Sequence, residues 1–210
     1  MLSTRHFQHR YIPARKKGER EKILVVLHGL GDSLQGYSFL PQELSVGEFS
    51  YLLLNAPDDY FGGHSWFDFQ GDPAPGVRRS RDLMLKLFGE LEAQGIVPGD
   101  IFLFGFSQGC LVAVDAGLRC EQVLGGICGV SGYLAFENEY PEKLSSAARQ
   151  QRFLITHGRL DPVIPFDPAV RQFQRLQKLG LQIDFRVYDK DHTILSEELR
   201  DIAAWFRTRL

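Results

Sequence analysis

Residues 101–118 read IFLFGFSQGCLVAVDAGL. The first six, Ile101 to Phe106, form an unbroken apolar run of strand length, too apolar to leave one face in water. Such runs belong to strands covered on both sides. The stretch from Cys110 to Leu118 is apolar and compatible with a helix. Between the two, Gly105-Phe106-Ser107-Gln108-Gly109 places a serine on a sharp turn, and its flanking glycines keep bulk away from neighbouring strands and helix. A strand that turns abruptly into a helix across Gly-x-Ser-x-Gly is part of a β-α-β unit, and the five-residue string draws its meaning from that setting. A helix N-cap serine in a glycine-rich turn is the plainer alternative.

Similar aliphatic runs recur at Ile23 to Leu27, Tyr51 to Leu54, Val123 to Val130, Phe153 to Thr156 and Ile183 to Tyr188. Helical faces alternate with them. Leu83, Met84, Leu87, Phe88 and Leu91 mark one, Val170, Phe173 and Leu176 a second, and Leu195, Leu199, Ile202, Ala203, Phe206 and Leu210 a third. The alternation predicts an α/β fold with a mostly parallel central sheet and helices on both faces. Ahead of Ile23 the chain is polar, with some alternation at Phe7, His9 and Tyr11. No repeat or Gly/Ser linker interrupts the chain, so residues 1–210 are expected to form one domain.

With 24 Lys+Arg against 26 Asp+Glu, the chain lacks the basic excess that a polyphosphate requires, and nucleic acid is not an expected partner. No apolar run approaches the roughly 18 residues that span a bilayer. The opening Met-Leu-Ser-Thr-Arg-His carries no secretory apolar core, which points to the cytoplasm. Cys110, Cys120 and Cys128 are odd in number and form no Cys-x-x-Cys pair, so buried thiols are expected rather than disulfides or a metal site.

In an open parallel sheet ligands gather at the carboxyl ends of the strands, so the residues that follow each run carry the candidate chemistry. A serine hydroxyl needs a base to take its proton and a carboxylate to orient that base. Two histidines lie downstream of Ser107. His192 follows the last strand and precedes the closing helix, and Asp161 sits on the loop after Phe153 to Thr156. Ser107, Asp161 and His192 therefore fall in the order that α/β-hydrolases use. His157 is expected to shape the Asp161 loop, while Asp189 and Asp191 are rival carboxylates in a solvated turn. The Gln108 amide and the Leu30 amide, the latter in His28-Gly29-Leu30-Gly31-Asp32, are candidate donors to an oxyanion. That glycine loop lacks the spacing of a phosphate cradle. Cys110 offers an alternative nucleophile, although it falls beyond the turn and inside the predicted helix.

Five ordered motifs carry a resemblance: His28-Gly29-Leu30-Gly31-Asp32, Ser65-Trp66-Phe67-Asp68, Gly105-Phe106-Ser107-Gln108-Gly109, Ser131-Gly132-Tyr133-Leu134, and His157-Gly158 through Asp161-Pro162-Val163-Ile164-Pro165. From about residue 22 onward the sequence resembles the phospholipase/carboxylesterase family, which includes the acyl-protein thioesterases. The resemblance implies an α/β-hydrolase fold, no cofactor and hydrolysis of small-molecule or lipid acyl esters or thioesters. It casts Ser107 as nucleophile, His192 as base, Asp161 as its orienter, and Leu30 and Gln108 as the oxyanion donors. Trp66 and Phe106 would line the acyl pocket, though Trp66 suits a core position equally. Two departures stand out: the segment from Asp58 to His64 is short for a loop covering a long-chain acyl site, and Asp191 stands where the family usually has glycine before the catalytic histidine. The expected activity is a serine carboxylesterase for short- to medium-chain esters. A lysophospholipase or acyl-protein thioesterase and a non-catalytic binding module are the alternatives. Tyr60, Phe61, Trp66 and Phe69 give apolar surface near the expected mouth, suited to lipid or to a second copy in a homodimer.

Overall fold

In the computed structural model, which describes residues 2–210, all six aliphatic runs are strands. In chain order the elements are β1 (His9–Ile12), β2 (Lys22–Leu27), α1 (Leu40–Glu43), β3 (Phe49–Leu54), β4 (Asp58–Tyr60), β5 (Gly63–Ser65) and α2 (Pro73–Ala93), then β6 (Ile101–Phe106), α3 (Gln108–Arg119), β7 (Gly126–Val130), α4 (Tyr140–Lys143), β8 (Arg152–Gly158), α5 (Phe166–Lys178), β9 (Gln182–Tyr188) and α6 (Ser196–Arg207). Seven strands form one sheet in the order β1-β3-β2-β6-β7-β8-β9. β1 runs antiparallel to β3, and every other pairing in this sheet is parallel.

The period of two along each strand sorts the core into two layers. Ile23, Val25, Ile101, Leu103, Ile127 and Ile155 point to the side covered by α2, α3 and α5, where Met84, Leu87, Leu111, Phe173 and Leu176 meet them. Leu24, Val26, Phe102, Phe104, Cys128 and Leu154 point the other way, against Leu40 of α1 and Leu199, Ile202 and Phe206 of α6. Each fully buried aliphatic or aromatic side chain contributes about 1.5–3 kcal/mol. Both sheet faces are therefore dry, which is why the strands read as continuous runs.

Local chemistry sets the helix ends. α2 begins where the Asp72 carboxylate accepts the Ala74 N–H at 3.0 Å, with Pro73 as the first helical residue. It stops at Gly95, whose φ of 94° closes the last turn. The strand at Val123 to Val130 is shorter than its sequence run and begins at Gly126, because Val123 is exposed and Gly125 packs its backbone against the Phe102 ring. Three strands lie outside the runs: the edge strand β1, and β4 and β5 of a hairpin in which Tyr60 pairs with Gly63. Phe61 and Gly62 form its two-residue turn, both at positive φ, 44° and 87°.

Candidate active site

Ser107 stands at the carboxyl end of β6, the central strand of the seven, with φ 54° and ψ −115°. For a residue with a Cβ this conformation costs about 1–3 kcal/mol. The surroundings hold it there: the Ser107 N–H donates to the Val130 carbonyl at 2.9 Å, and its own carbonyl accepts from Leu111 at 3.2 Å. Both glycines of the turn are obligatory. A Cβ at Gly105 would overlap the Gly109 carbonyl, and one at Gly109 would overlap the carbonyls of Leu27 and His28. The strain turns Oγ out of the packed layer.

The loops after β8 and β9 bring Asp161 and His192 to that hydroxyl. His192 Nε2 lies 3.0 Å from Ser107 Oγ, and His192 Nδ1 lies 2.8 Å from Asp161 Oδ2. An ionised carboxylate only accepts, so Nδ1 carries the proton and the Nε2 lone pair faces the serine O–H. The other Asp161 oxygen accepts the N–H groups of Val163 and Ile164, at 2.9 and 2.8 Å. Burial pushes this carboxyl up, but the hydrogen bonds from His192 and the two amides outweigh it and hold Asp161 below the usual carboxylate range. His157 is completely buried, its Nε2 donating to the Ile164 carbonyl at 2.9 Å. It buttresses the loop that orients Asp161, and burial holds its pKa down so that the ring stays neutral. Asp189 and Asp191 are exposed, Asp189 beside Arg159 at 3.4 Å, and neither supplies the carboxylate that meets His192.

Leu30 and Gln108 line the same cleft as Ser107. The Gln108 N–H belongs to the first turn of α3, where helix geometry leaves amides without an internal partner. Its side chain does something the sequence did not reveal. Oε1 accepts the Trp66 N–H at 3.0 Å and the Ser65 hydroxyl at 3.2 Å, while Nε2 donates to the Phe67 carbonyl at 3.2 Å, so Gln108 grips the segment after β5. The hairpin in turn holds the glycine loop: Gly31 N–H donates to the His64 carbonyl at 2.9 Å, and His64 N–H to the Asp32 carbonyl at 2.8 Å. Beneath the loop, His28 accepts the Ala56 N–H through Nε2 at 3.0 Å and faces the Gly29 carbonyl through Nδ1 at 2.6 Å. The short segment from Asp58 to His64 is thus a clamp on the Leu30 loop.

The cleft has a volume of about 290 Å³. Phe69, Phe106, Tyr133, Val163 and Ile164 form its apolar wall around Ser107 and His192. Phe106 is one of them, its ring centroid 4.9 Å from that of His192. Trp66 is not. It is fully buried, donates Nε1–H to the His28 carbonyl at 2.9 Å and packs on Phe7, because an indole whose N–H finds a partner inside is more stable there than at a wet mouth. The wall residues Tyr133, Val163 and Ile164 were within quoted motifs, but their side-chain directions are set by loop conformation. Cys110 is fully buried and its thiol is pushed up to about 12 by burial, so it offers no thiolate. Among the described residues no group of three or more His, Cys, Asp and Glu is placed to hold a metal ion, and no helix is long and apolar enough to cross a membrane.

The sequence model of the phospholipase/carboxylesterase family matches residues 11–210. The chain belongs to this family. Acyl-protein thioesterase 1 of Gibberella zeae is 30% identical over 211 residues, spanning 89% of this chain and 90% of the relative. A relative from Oryza sativa subsp. japonica, 27% identical across 92% of this chain and 86% of its own length, is named a probable inactive carboxylesterase. Among solved structures, esterase PE8 superposes with a TM-score of 0.87 at 27% identity, covering 97% of this chain and 99% of that one. Membership makes the chain a hydrolase-family protein with relatives among thioesterases and carboxylesterases, and its α/β-hydrolase architecture agrees with these structures.

Proposed function

We propose that this phospholipase/carboxylesterase family member is a serine esterase that cleaves short- to medium-chain acyl esters through an acyl-enzyme on Ser107. The observation that carries this reading is the unbroken chain from Asp161 through His192 to Ser107 at a strained turn. As Oγ attacks the carbonyl carbon, His192 Nε2 takes the hydroxyl proton, and Asp161 stabilises the imidazolium that results. The developing oxyanion is met by the Leu30 and Gln108 amides, each worth about 2.7–4 kcal/mol in the transition state. When the tetrahedral adduct collapses, His192 returns the proton to the leaving oxygen or sulfur. Water then attacks the acyl-enzyme by the same route, giving the acid and free Ser107.

The chain-length preference is supported by the cleft, whose 290 Å³ falls at the bottom of the ~300–1,000 Å³ range of small-molecule sites. A second reading is favoured by a different observation: Phe69 and Val163, 58% and 54% exposed, continue the apolar wall outward. This would suit a longer acyl chain, as in the thioesterase-named relatives. Hydrolysis of p-nitrophenyl esters from acetate to palmitate, with Ser107→Ala run in parallel, tests both. We expect a Ser107-dependent optimum at short to medium chains. A long-chain optimum transfers the proposal to the second reading, and turnover unaffected by Ser107→Ala refutes the acyl-enzyme.

A further inference from the structure

The mechanism leaves unused an ion pair that lies against it. The side chains of Lys190 and Glu198 are fully buried, with Nζ 2.7 Å from Oε1 and 2.6 Å from Oε2. Nζ also donates to the Thr193 carbonyl at 2.7 Å, and Oε2 also accepts the Leu195 N–H at 3.2 Å. These four bonds close residues 190–195 onto the first turn of α6, and His192 lies inside the closed segment. The backbone of the same lysine reaches the other loop. Its carbonyl accepts the Leu160 N–H at 3.1 Å, one residue before Asp161, and Gly158 lies so close that a Cβ would overlap that carbonyl.

A buried ion pair is a poor device for stability alone, since well-packed apolar residues of similar volume serve as well or better. What an apolar pair cannot do is satisfy the Thr193 carbonyl and the Leu195 amide, which define the conformation of the loop. We propose that Lys190 and Glu198 are positioning residues: their buried pair sets the placement of His192 relative to Asp161 and Ser107. This rests on His192 being the base, as proposed above.

The test is the double variant Lys190→Met/Glu198→Leu, which removes both charges together and leaves neither stranded. Because a misplacement near 1 Å costs about 100-fold, we expect kcat for p-nitrophenyl butyrate to fall about 10- to 100-fold. KM should stay within about two-fold, while the thermal midpoint falls because the Thr193 carbonyl and the Leu195 amide lose their partners. A purely structural pair would move the midpoint and leave kcat of the folded enzyme alone, so a folded double variant with kcat within about two-fold of wild type overturns the proposal. Should the double variant not fold, Glu198→Gln decides. It keeps the shape and one acceptor, and we expect a loss of about 3- to 10-fold in kcat at constant KM; unchanged kcat overturns the proposal. Ser107→Ala is assayed alongside. If turnover does not depend on Ser107, the underlying reading fails; if it does and the variants match wild type, only the positioning role fails.

Discussion

Replacing Asp161 by asparagine isolates the step on which the proposed chemistry depends. In the wild-type loop, one carboxylate oxygen accepts two backbone N–H groups, from Val163 and Ile164, and the other meets His192 Nδ1. Two donors facing one atom leave no choice for the asparagine amide: its oxygen takes the Val163 and Ile164 side, and its NH₂ points at His192. A donor there requires Nδ1 to accept, which moves the ring proton to Nε2, opposite Ser107 Oγ. The base is then occupied by the proton it should remove. The expected loss is about 10,000-fold in kcat, or ~5.4 kcal/mol of transition-state stabilisation at ~1.36 kcal/mol per decade. Because both amides keep their acceptor, the thermal midpoint should move by no more than about 4 °C, the shift that about 1 kcal/mol produces in a domain of this size. Steady-state hydrolysis of p-nitrophenyl butyrate with thermal melts checks both parts. A folded Asp161→Asn enzyme retaining more than about a tenth of wild-type kcat would refute the tautomer argument.

Two further perturbations address the scaffold. Gly63→Ala would drive a methyl group into the Gly31 carbonyl, and since backbone opposes it, the hairpin must lift and release the Leu30 loop; kcat should fall about 100- to 1,000-fold with far-UV circular dichroism unchanged. Acid should destabilise the fold through His28 and His157, whose folded pKa values burial holds below the ordinary 6.5. Their contribution is fully present above the unfolded pKa and is lost as pH falls from there toward the folded values, because the unfolded chain then binds more protons. Melts at pH 7.5 and 5 should show the wild-type midpoint dropping, and His157→Gln should flatten that dependence.

The strands that build the central sheet were legible because both of its faces are covered, which makes burial itself the sequence signal. β1 was not, since His9–Ile12 is an edge strand with one neighbour and polar side chains facing out. The hairpin at Asp58–Ser65 escaped for another reason: three residues per strand are too few for a period to register. For the site, Ser107, Asp161, His192, Leu30, Gln108 and Phe106 converge because each ends or follows a strand on the carboxyl side of the sheet. Trp66 was left between the mouth and the core, because an aromatic beside a loop motif looks the same in sequence in either place, and the structure puts it in the core. The grip of the Gln108 side chain on residues 65–67 spans about 40 positions, and no local pattern encodes such a contact.

The serine and histidine of the proposed reaction belong to parts of the sheet with very different protection. β6 is the central strand and almost wholly buried, whereas β9 is an outer strand, bonded only to β8, with half-buried side chains along most of its length. Partial opening that frees β9 from β8 would carry off the loop that holds His192 while the Ser107 turn stayed folded. Loss of activity in mild denaturant is then a reversible fraying of one border rather than collapse of the molecule. Trp66 and Trp205 are both buried in the two core layers and would brighten or shift only when the interior dissolves.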